Sequence, residues 1–230
     1  YILPGLMASD SPIPLGGTSN HLRRSVLDEI GSWDPFNVTE DADLGVRIAA
    51  RGYRTAVLDS VTYEEANIDG INWVRQRSRW YKGYLQTWLV HTRHPVRLVR
   101  ELGAKGFLRF TTLLAGTPLI ACMNMAFWLL MILWFFGQYS IIRELFGPLV
   151  YYPALASLVI GNLSTVYMTL VTIREDHRPD LFWPALLVPG YWAMMSVAAI
   201  KGTYQLIRNP SYWEKTFHGL SASKPPGGSS

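Results

Sequence analysis

The sequence predicts an α/β domain followed by an all-α transmembrane region, and three observations carry that prediction. Residues 1–109 alternate short strand-like runs with helical patterns, separated by glycine-containing turns. Between residues 111 and 173 the only Asp, Glu, Lys or Arg are Arg143 and Glu144, and residues 181–199 have none. The composition agrees: of 230 residues, 49% are hydrophobic and only 17% charged, with a mean hydropathy of +0.11, which is apolar for a soluble domain.

Taken in order, Gly16-Gly17-Thr18-Ser19-Asn20 is a turn-rich loop ahead of a helix over 21–30, which Gly31 ends. Thr39 is placed to N-cap a helix running to 51, with Gly52 at its stop. Residues 53–58 and 61–63 read as strands, and a longer helix follows over 71–91. The apolar runs divide into three spans, 111–136, 148–173 and 181–200. Each is long enough, because about 20 apolar residues cross a bilayer as a helix; a buried core helix is the competing reading of such runs. Pro189-Gly190 interrupts the third run, so a broken or re-entrant segment is the alternative to a full span. The last residues, 224–230, are rich in Pro, Gly and Ser and read as a disordered tail. The predicted organisation is a catalytic portion at 1–94, a basic interface segment at 95–110, a transmembrane region at 111–215 and a tail at 216–230.

Residues 1–25 show no basic start followed by an apolar stretch of secretory type. The chain opens without Met and in what reads as the middle of a domain, so a fragment is expected. The single cysteine, Cys122, lies inside the first predicted span, which leaves neither a disulfide framework nor a zinc cluster. His91 and His94, three apart, lack further ligands nearby and read as interfacial.

Two motifs carry chemistry. Thr39-Glu40-Asp41 offers acid or base groups, and Gln76-Arg77-Ser78-Arg79-Trp80 offers charge neutralisation plus a flat aromatic surface. Capped by Thr39, Glu40 and Asp41 fall in a first helical turn, where the macrodipole favours ionised carboxylates. Gln76, Arg79, Trp80 and Gly83 are spaced by three and four and share one helix face, with Gly83 leaving room for close approach. Arg75, Arg77 and Ser78 are expected to point elsewhere. Glycosyl transfer from an activated donor needs a carboxylate for the acceptor proton, cationic donors for the departing phosphate and a ring on which sugar stacks.

In this order, ahead of apolar spans, the motifs resemble the T-E-D and Q-x-x-R-W motifs of membrane-embedded family 2 glycosyltransferases, the class that includes cellulose, chitin and hyaluronan synthases. The resemblance implies the C-terminal, acceptor-side portion of a GT-A-type domain followed by its membrane anchor. By that resemblance Asp41 is the general base, with Glu40 and Thr39 shaping its surroundings. Gln76 and Arg79 hold the donor diphosphate, and Trp80 stacks on the acceptor. The loop of Gly17, Thr18, Ser19, Asn20 and His21 lines the acceptor side, with Arg23 and Arg24 behind it. The family's nucleotide-binding half and its divalent metal, Mg or Mn, are expected in a segment preceding this chain, so no metal ligand is assigned here and the chain is expected to be inactive alone. The stretch Tyr212-Trp213-Glu214-Lys215-Thr216 resembles the end of related enzymes.

Other patterns are set aside. Asp41-Ala42-Asp43 spells D-x-D, but inside the motif where the base belongs. The sequons at Asn37 and Asn162 overlap the site and a span respectively. Glu64-Glu65 reads as the end of a strand rather than a donor-facing pair. Residues 70–110 hold nine Lys or Arg against one acid, Glu101, which suits an interface helix on an anionic cytoplasmic leaflet and places the preceding domain inside the cell. Nucleic-acid binding is the rival for such a segment, and the adjoining spans argue against it. Lys201, Arg208, Lys215 and Lys224 favour an inside tail, which three spans would not give; three full spans are nevertheless preferred. The expected function is inverting transfer of a hexose or N-acetylhexosamine from a nucleotide diphosphate sugar, with a uridine diphosphate sugar the expected donor, to a glycan or lipid acceptor. The expected place is a multi-pass protein of the inner membrane in contact with its lipids. The alternative is a non-catalytic scaffold or channel component with a degenerate transferase domain.

Overall fold

The computed structural model describes residues 2–137, 140, 144, 146–212 and 214. Arg143, Trp213, Lys215, Thr216, Lys224 and the expected tail at 216–230 lie outside the described residues. Every regular element among the described residues is helical. In order these are α1 (Ile2–Ala8), α2 (Arg24–Ile30), α3 (Glu40–Ala50), α4 (Gly70–His91), α5 (Pro95–Thr111), a π-helical turn (Thr112–Gly116) and α6 (Thr117–Phe135). They continue with α7 (Pro148–Glu175), a 3-10 turn (Pro179–Leu181), α8 (Phe182–Leu186) and α9 (Val188–Arg208).

This corrects the expectation of an α/β, GT-A-type domain: no strand forms among the described residues at 53–58, at 61–63 or elsewhere. Leu58, Val61 and Tyr63 are 71%, 77% and 93% exposed. β-Branched Val61 and aromatic Tyr63 suit a strand, but a strand exists only where a neighbouring segment supplies the other half of its hydrogen-bond ladder. Glu64 consequently ends no strand.

The helices of the first hundred residues start and stop where local chemistry dictates. Gly31 closes α2 in the left-handed region at φ 85, its N–H bonded to Leu27 O. Asp69 caps α4 by accepting from the Asn72 N–H at 2.6 Å. Thr39 stands at the N-cap of α3, but its side chain bonds no helix N–H; its hydroxyl is used elsewhere. Gly103, at φ 70 and ψ 163, interrupts α5. Pro118 withdraws one N–H from the ladder just beyond the turn that widens to π.

The chain divides into two compact units, one of residues 1–120 with 198–230 and one of residues 121–197. In the first unit, α3 is the most deeply buried helix. One face packs Leu44 and Ile48 with Ile30, Leu15, Leu22, Val26 and Leu27. Val46 joins Leu98, Phe110 and Leu114, with Tyr84, Trp88, Leu102 and Phe107 around them. The strand-free segment at Ile13 crosses α3 so closely that a Cβ on Gly45 would lie 2.1 Å from Ile13 O. In the second unit no residue of α7 is buried. The unit's side-chain contacts include Asn124 Nδ2 donating to Ser196 Oγ at 3.1 Å and Trp134 Nε1 to Tyr151 Oη at 2.9 Å.

Two helical stretches, Pro95–Phe135 and Pro148–Glu175, are long and apolar enough to cross a membrane. A third is present if Pro179–Leu186 and Val188–Arg208, bent by 60°, count as one broken span. The break falls beside Pro189-Gly190, where the sequence places the interruption.

Candidate active site

Helix α4 is the strut on which the site is built. On one side it receives the N-terminus of α3: a Cβ on Gly83 would lie 2.4 Å from Thr39 Cγ2 and 2.5 Å from Thr39 Oγ1. Glycine is therefore required there, and the two sequence motifs meet at this point. Beneath the contact, Asn37 Nδ2 donates to Thr87 Oγ1 at 2.9 Å, and Asn37 Oδ1 accepts from the Thr39 N–H at 3.0 Å. The Thr39 and Thr87 hydroxyls lie 3.5 Å apart. All three side chains are buried, so this polar knot fixes the start of α3 in a setting where unpaired groups are costly. Asn37, read from sequence as part of an incidental sequon, is thus a structural anchor, and Thr87 carried no signal.

The two carboxylates of the T-E-D motif face different neighbours. Asp41 is half-buried, its Oδ1 accepts from the Ala42 N–H at 2.7 Å, and a Cβ on Gly17 would lie 3.6 Å from its Oδ2. Burial pushes the Asp41 carboxyl above its ordinary value; the Ala42 N–H opposes this and the charge of Glu40 adds to it. Glu40 lies within the field of Arg79, whose guanidinium burial holds below its usual value against the charges of Glu40 and Glu214. A guanidinium remains a cation under any such shift. Tyr84 is pushed up by burial and by Asp41, with Arg77 acting the other way, so Asp41, Tyr84 and Arg77 share one neighbourhood.

Asp43 behaves differently from its D-x-D partner. Its Oδ2 accepts from Arg47 Nε and its Oδ1 lies against His91 Nε2, both at 2.7 Å. Burial alone would raise its pKa, but the His91 hydrogen bond and the charges of Arg47 and His91 prevail, and the carboxyl lies below its ordinary value. Arg47 extends the tie through Ile30 O and Ser32 O. Both Asp43 oxygens are thus taken, one by Arg47 and one by His91, and the pair Asp41 and Asp43 does not fit a divalent metal. His91, expected at an interface, is instead an internal partner of α3.

In the second motif, Gln76 and Arg79 are half-buried and Trp80 is 39% exposed. Arg77 does not point away as the spacing suggested. Its guanidinium carbon sits 4.0 Å from the Trp80 ring centroid and 5.5 Å from that of Trp73. Arg75 reaches Glu214, Nε to Oε1 at 3.6 Å. In the glycine-rich loop, Thr18 donates to Glu64, Ser19 pairs with Thr62 at 2.7 Å, and the Asn20 amide folds back to Gly16 O. Gly17 is the loop residue brought to Asp41, whereas His21 is exposed.

The other side of α4 receives α9 and the segment after it. A Cβ on Gly202 would lie 2.4 Å from Ser78 O. Lys82, 1% exposed, donates to Asn209 O at 2.8 Å and Tyr212 O at 2.7 Å. No periodicity pointed to Lys82, whose partners lie more than a hundred residues away in sequence.

The sequence pattern of glycosyl transferase family group 2 matches residues 4–197, most of the chain. The chain belongs to that family. The chain is similar to a probable glycosyltransferase, YdaM, of Bacillus subtilis, 34% identical over 68 residues that are 29% of this chain and 16% of that protein. It is also similar to a beta-monoglucosyldiacylglycerol synthase of Synechocystis, 29% identical over 119 residues that are 50% of this chain and 25% of that protein. The chain therefore spans a quarter or less of the length of these curated relatives. No solved structure matches it.

Proposed function

We propose that the protein transfers a sugar from a nucleotide diphosphate donor to a glycan or lipid acceptor at a membrane, by single displacement with inversion. The observation that carries this reading is the contact of Thr39 with Gly83, which sets a carboxylate pair against a helix presenting an amide, guanidinium groups and an exposed indole. Asp41 takes the acceptor hydroxyl proton as the acceptor oxygen bonds to the anomeric carbon and the bond to the diphosphate breaks. Burial makes Asp41 a stronger base than an ordinary carboxylate. Arg79, with Gln76 beside it, takes the charge developing on the diphosphate. Trp80 offers its face to the acceptor sugar, and Gly17 leaves room beside the base. One displacement needs one base and one leaving-group clamp, unlike the paired carboxylates of a glycosidase.

A uridine diphosphate sugar with a divalent metal completes the reading, and no residue of this chain is assigned to the metal. A lipid acceptor is favoured by the apolar helices and by the relative named for a glucosyldiacylglycerol product. The same helices and the basic residues of α4 and α5 support a multi-pass inner-membrane protein with its site on the cytoplasmic side.

The test uses the full-length protein and a radiolabelled-sugar assay. Asp41→Asn should lower transfer by about a hundredfold or more while leaving donor binding intact, and Arg79→Ala should weaken donor binding. Wild-type transfer by Asp41→Asn would refute the assignment of the base.

A further inference from the structure

The segment following α9 returns to α4 and brings the Glu214 carboxylate among cations. Glu214 accepts from Lys201 Nζ at 2.8 Å and from Gln205 Nε2 at 3.0 Å. Arg75 Nε lies 3.6 Å from the same carboxylate, and Arg79, one turn further along α4, lies within its field. Hydrogen bonds from Lys201 and Gln205 and the charges of Lys201 and Arg75 outweigh burial and keep Glu214 ionised. The cations keep an open side: the side chains of Arg75 and Lys201 are 40% and 33% exposed, against 14% for Glu214.

We propose that Arg75 and Lys201 join Arg79 in one anion pocket for the donor diphosphate, and that Glu214 fills this pocket as an internal counterion which the diphosphate displaces. The inference rests on the reading of Arg79 as a diphosphate ligand and adds two cations and a competitor to it. Charge favours the exchange. Three cations face the single charge of Glu214 and that of Glu40 near Arg79, whereas a diphosphate brings more charge and more acceptor oxygens to the same donors. The chain also permits it, because Lys82 anchors the segment by the carbonyls of Asn209 and Tyr212. Glu214 lies beyond that anchor and can swing away while the segment stays docked. A carboxylate that must leave before the ligand enters lowers the ligand's apparent affinity.

The experiment is calorimetric titration of inorganic pyrophosphate into full-length protein in detergent micelles. Glu214→Gln, which keeps the shape and removes the charge, should tighten pyrophosphate about tenfold, and Lys201→Gln should weaken it by a similar factor. Unchanged or weaker binding by Glu214→Gln would overturn the proposal. If that variant does not fold, Lys201→Gln decides alone, and wild-type affinity there overturns it as well. Sugar transfer by Asp41→Asn, measured alongside, separates the two ideas. An active Asp41→Asn with a tightened Glu214→Gln leaves the pocket standing and removes the catalytic reading. An inactive Asp41→Asn with an unresponsive Glu214→Gln does the reverse.

Discussion

Helix α3 carries four charged residues in eleven and α7 is apolar almost throughout, yet it is α3 that is buried. In α3, six of eleven residues are buried, including the charged Asp43, which is held by Arg47 and His91. In α7, 28 residues long, none is buried, and Leu149 and Leu163 are 90% and 64% exposed. Close packing holds a carboxylate in place only where neighbouring helices enclose it. A helix of about 40 Å whose apolar side chains meet no protein interior has the dimensions and chemistry for a bilayer instead. The unit of α3 and α4 is thus a precise scaffold, and α7 an element long and apolar enough to cross a bilayer.

Glycine substitution is the strongest way to break that contrast. Gly83→Val forces a side chain into Thr39 and should destabilise the first unit by about 3 kcal/mol and abolish transfer. Gly161→Val in α7, where a Cβ meets nothing within 4 Å, should leave the melting temperature in micelles nearly unchanged. Equal losses from both would erase the distinction.

Lysine substitution comes next. Lys82→Met leaves the Asn209 and Tyr212 carbonyls without their donor and should cost about 2 kcal/mol, whereas Lys105→Met, at an exposed position, should be silent in the same thermal scan.

Acid titration sharpens the comparison further. The Asp43 carboxyl lies lower folded than unfolded, so its contribution is complete above the ordinary carboxylate value and disappears as pH falls through the folded value. Melting temperature measured from pH 6 down to pH 3 should therefore fall less steeply for Asp43→Asn than for wild type.

The smallest effect is expected at Glu40. In the proposed role Asp41 must be ionised to act as base, and its raised pKa then places the acid limb of the transfer rate above that of an ordinary carboxylate. Burial is the larger cause, so Glu40→Gln should move that limb only slightly, and downward in pH; an upward move would contradict the contribution of Glu40.

Much of this was legible before any coordinates. Gly31 marks the end of α2, and Thr39 and Gly52 bracket α3 within a residue or two, because caps and stops are written in single residues; the start of α2, expected at 21, lies at Arg24. The spacing of Gln76, Arg79, Trp80 and Gly83 put them on one face of α4, and Gly83 does mark a close approach, to Thr39. The strands at 53–58 and 61–63 were misread because β-branched residues state a preference, while a strand needs a partner. Arg77 was misplaced because its spacing says nothing of the Trp80 ring beneath it.

Sequence alone determined where Gly31 ends α2 and Thr39 begins α3, and which stretches are apolar enough to suit a bilayer, since each depends on residues within a few turns of one another. Tertiary structure alone decided which groups meet. Asn37 with Thr87, Asp43 with His91 and Lys82 with the carbonyls of Asn209 and Tyr212 join positions 50, 48, 127 and 130 residues apart. Local propensity carries no information across such distances; those pairings follow from which helix faces must be buried together and which polar groups must then be satisfied.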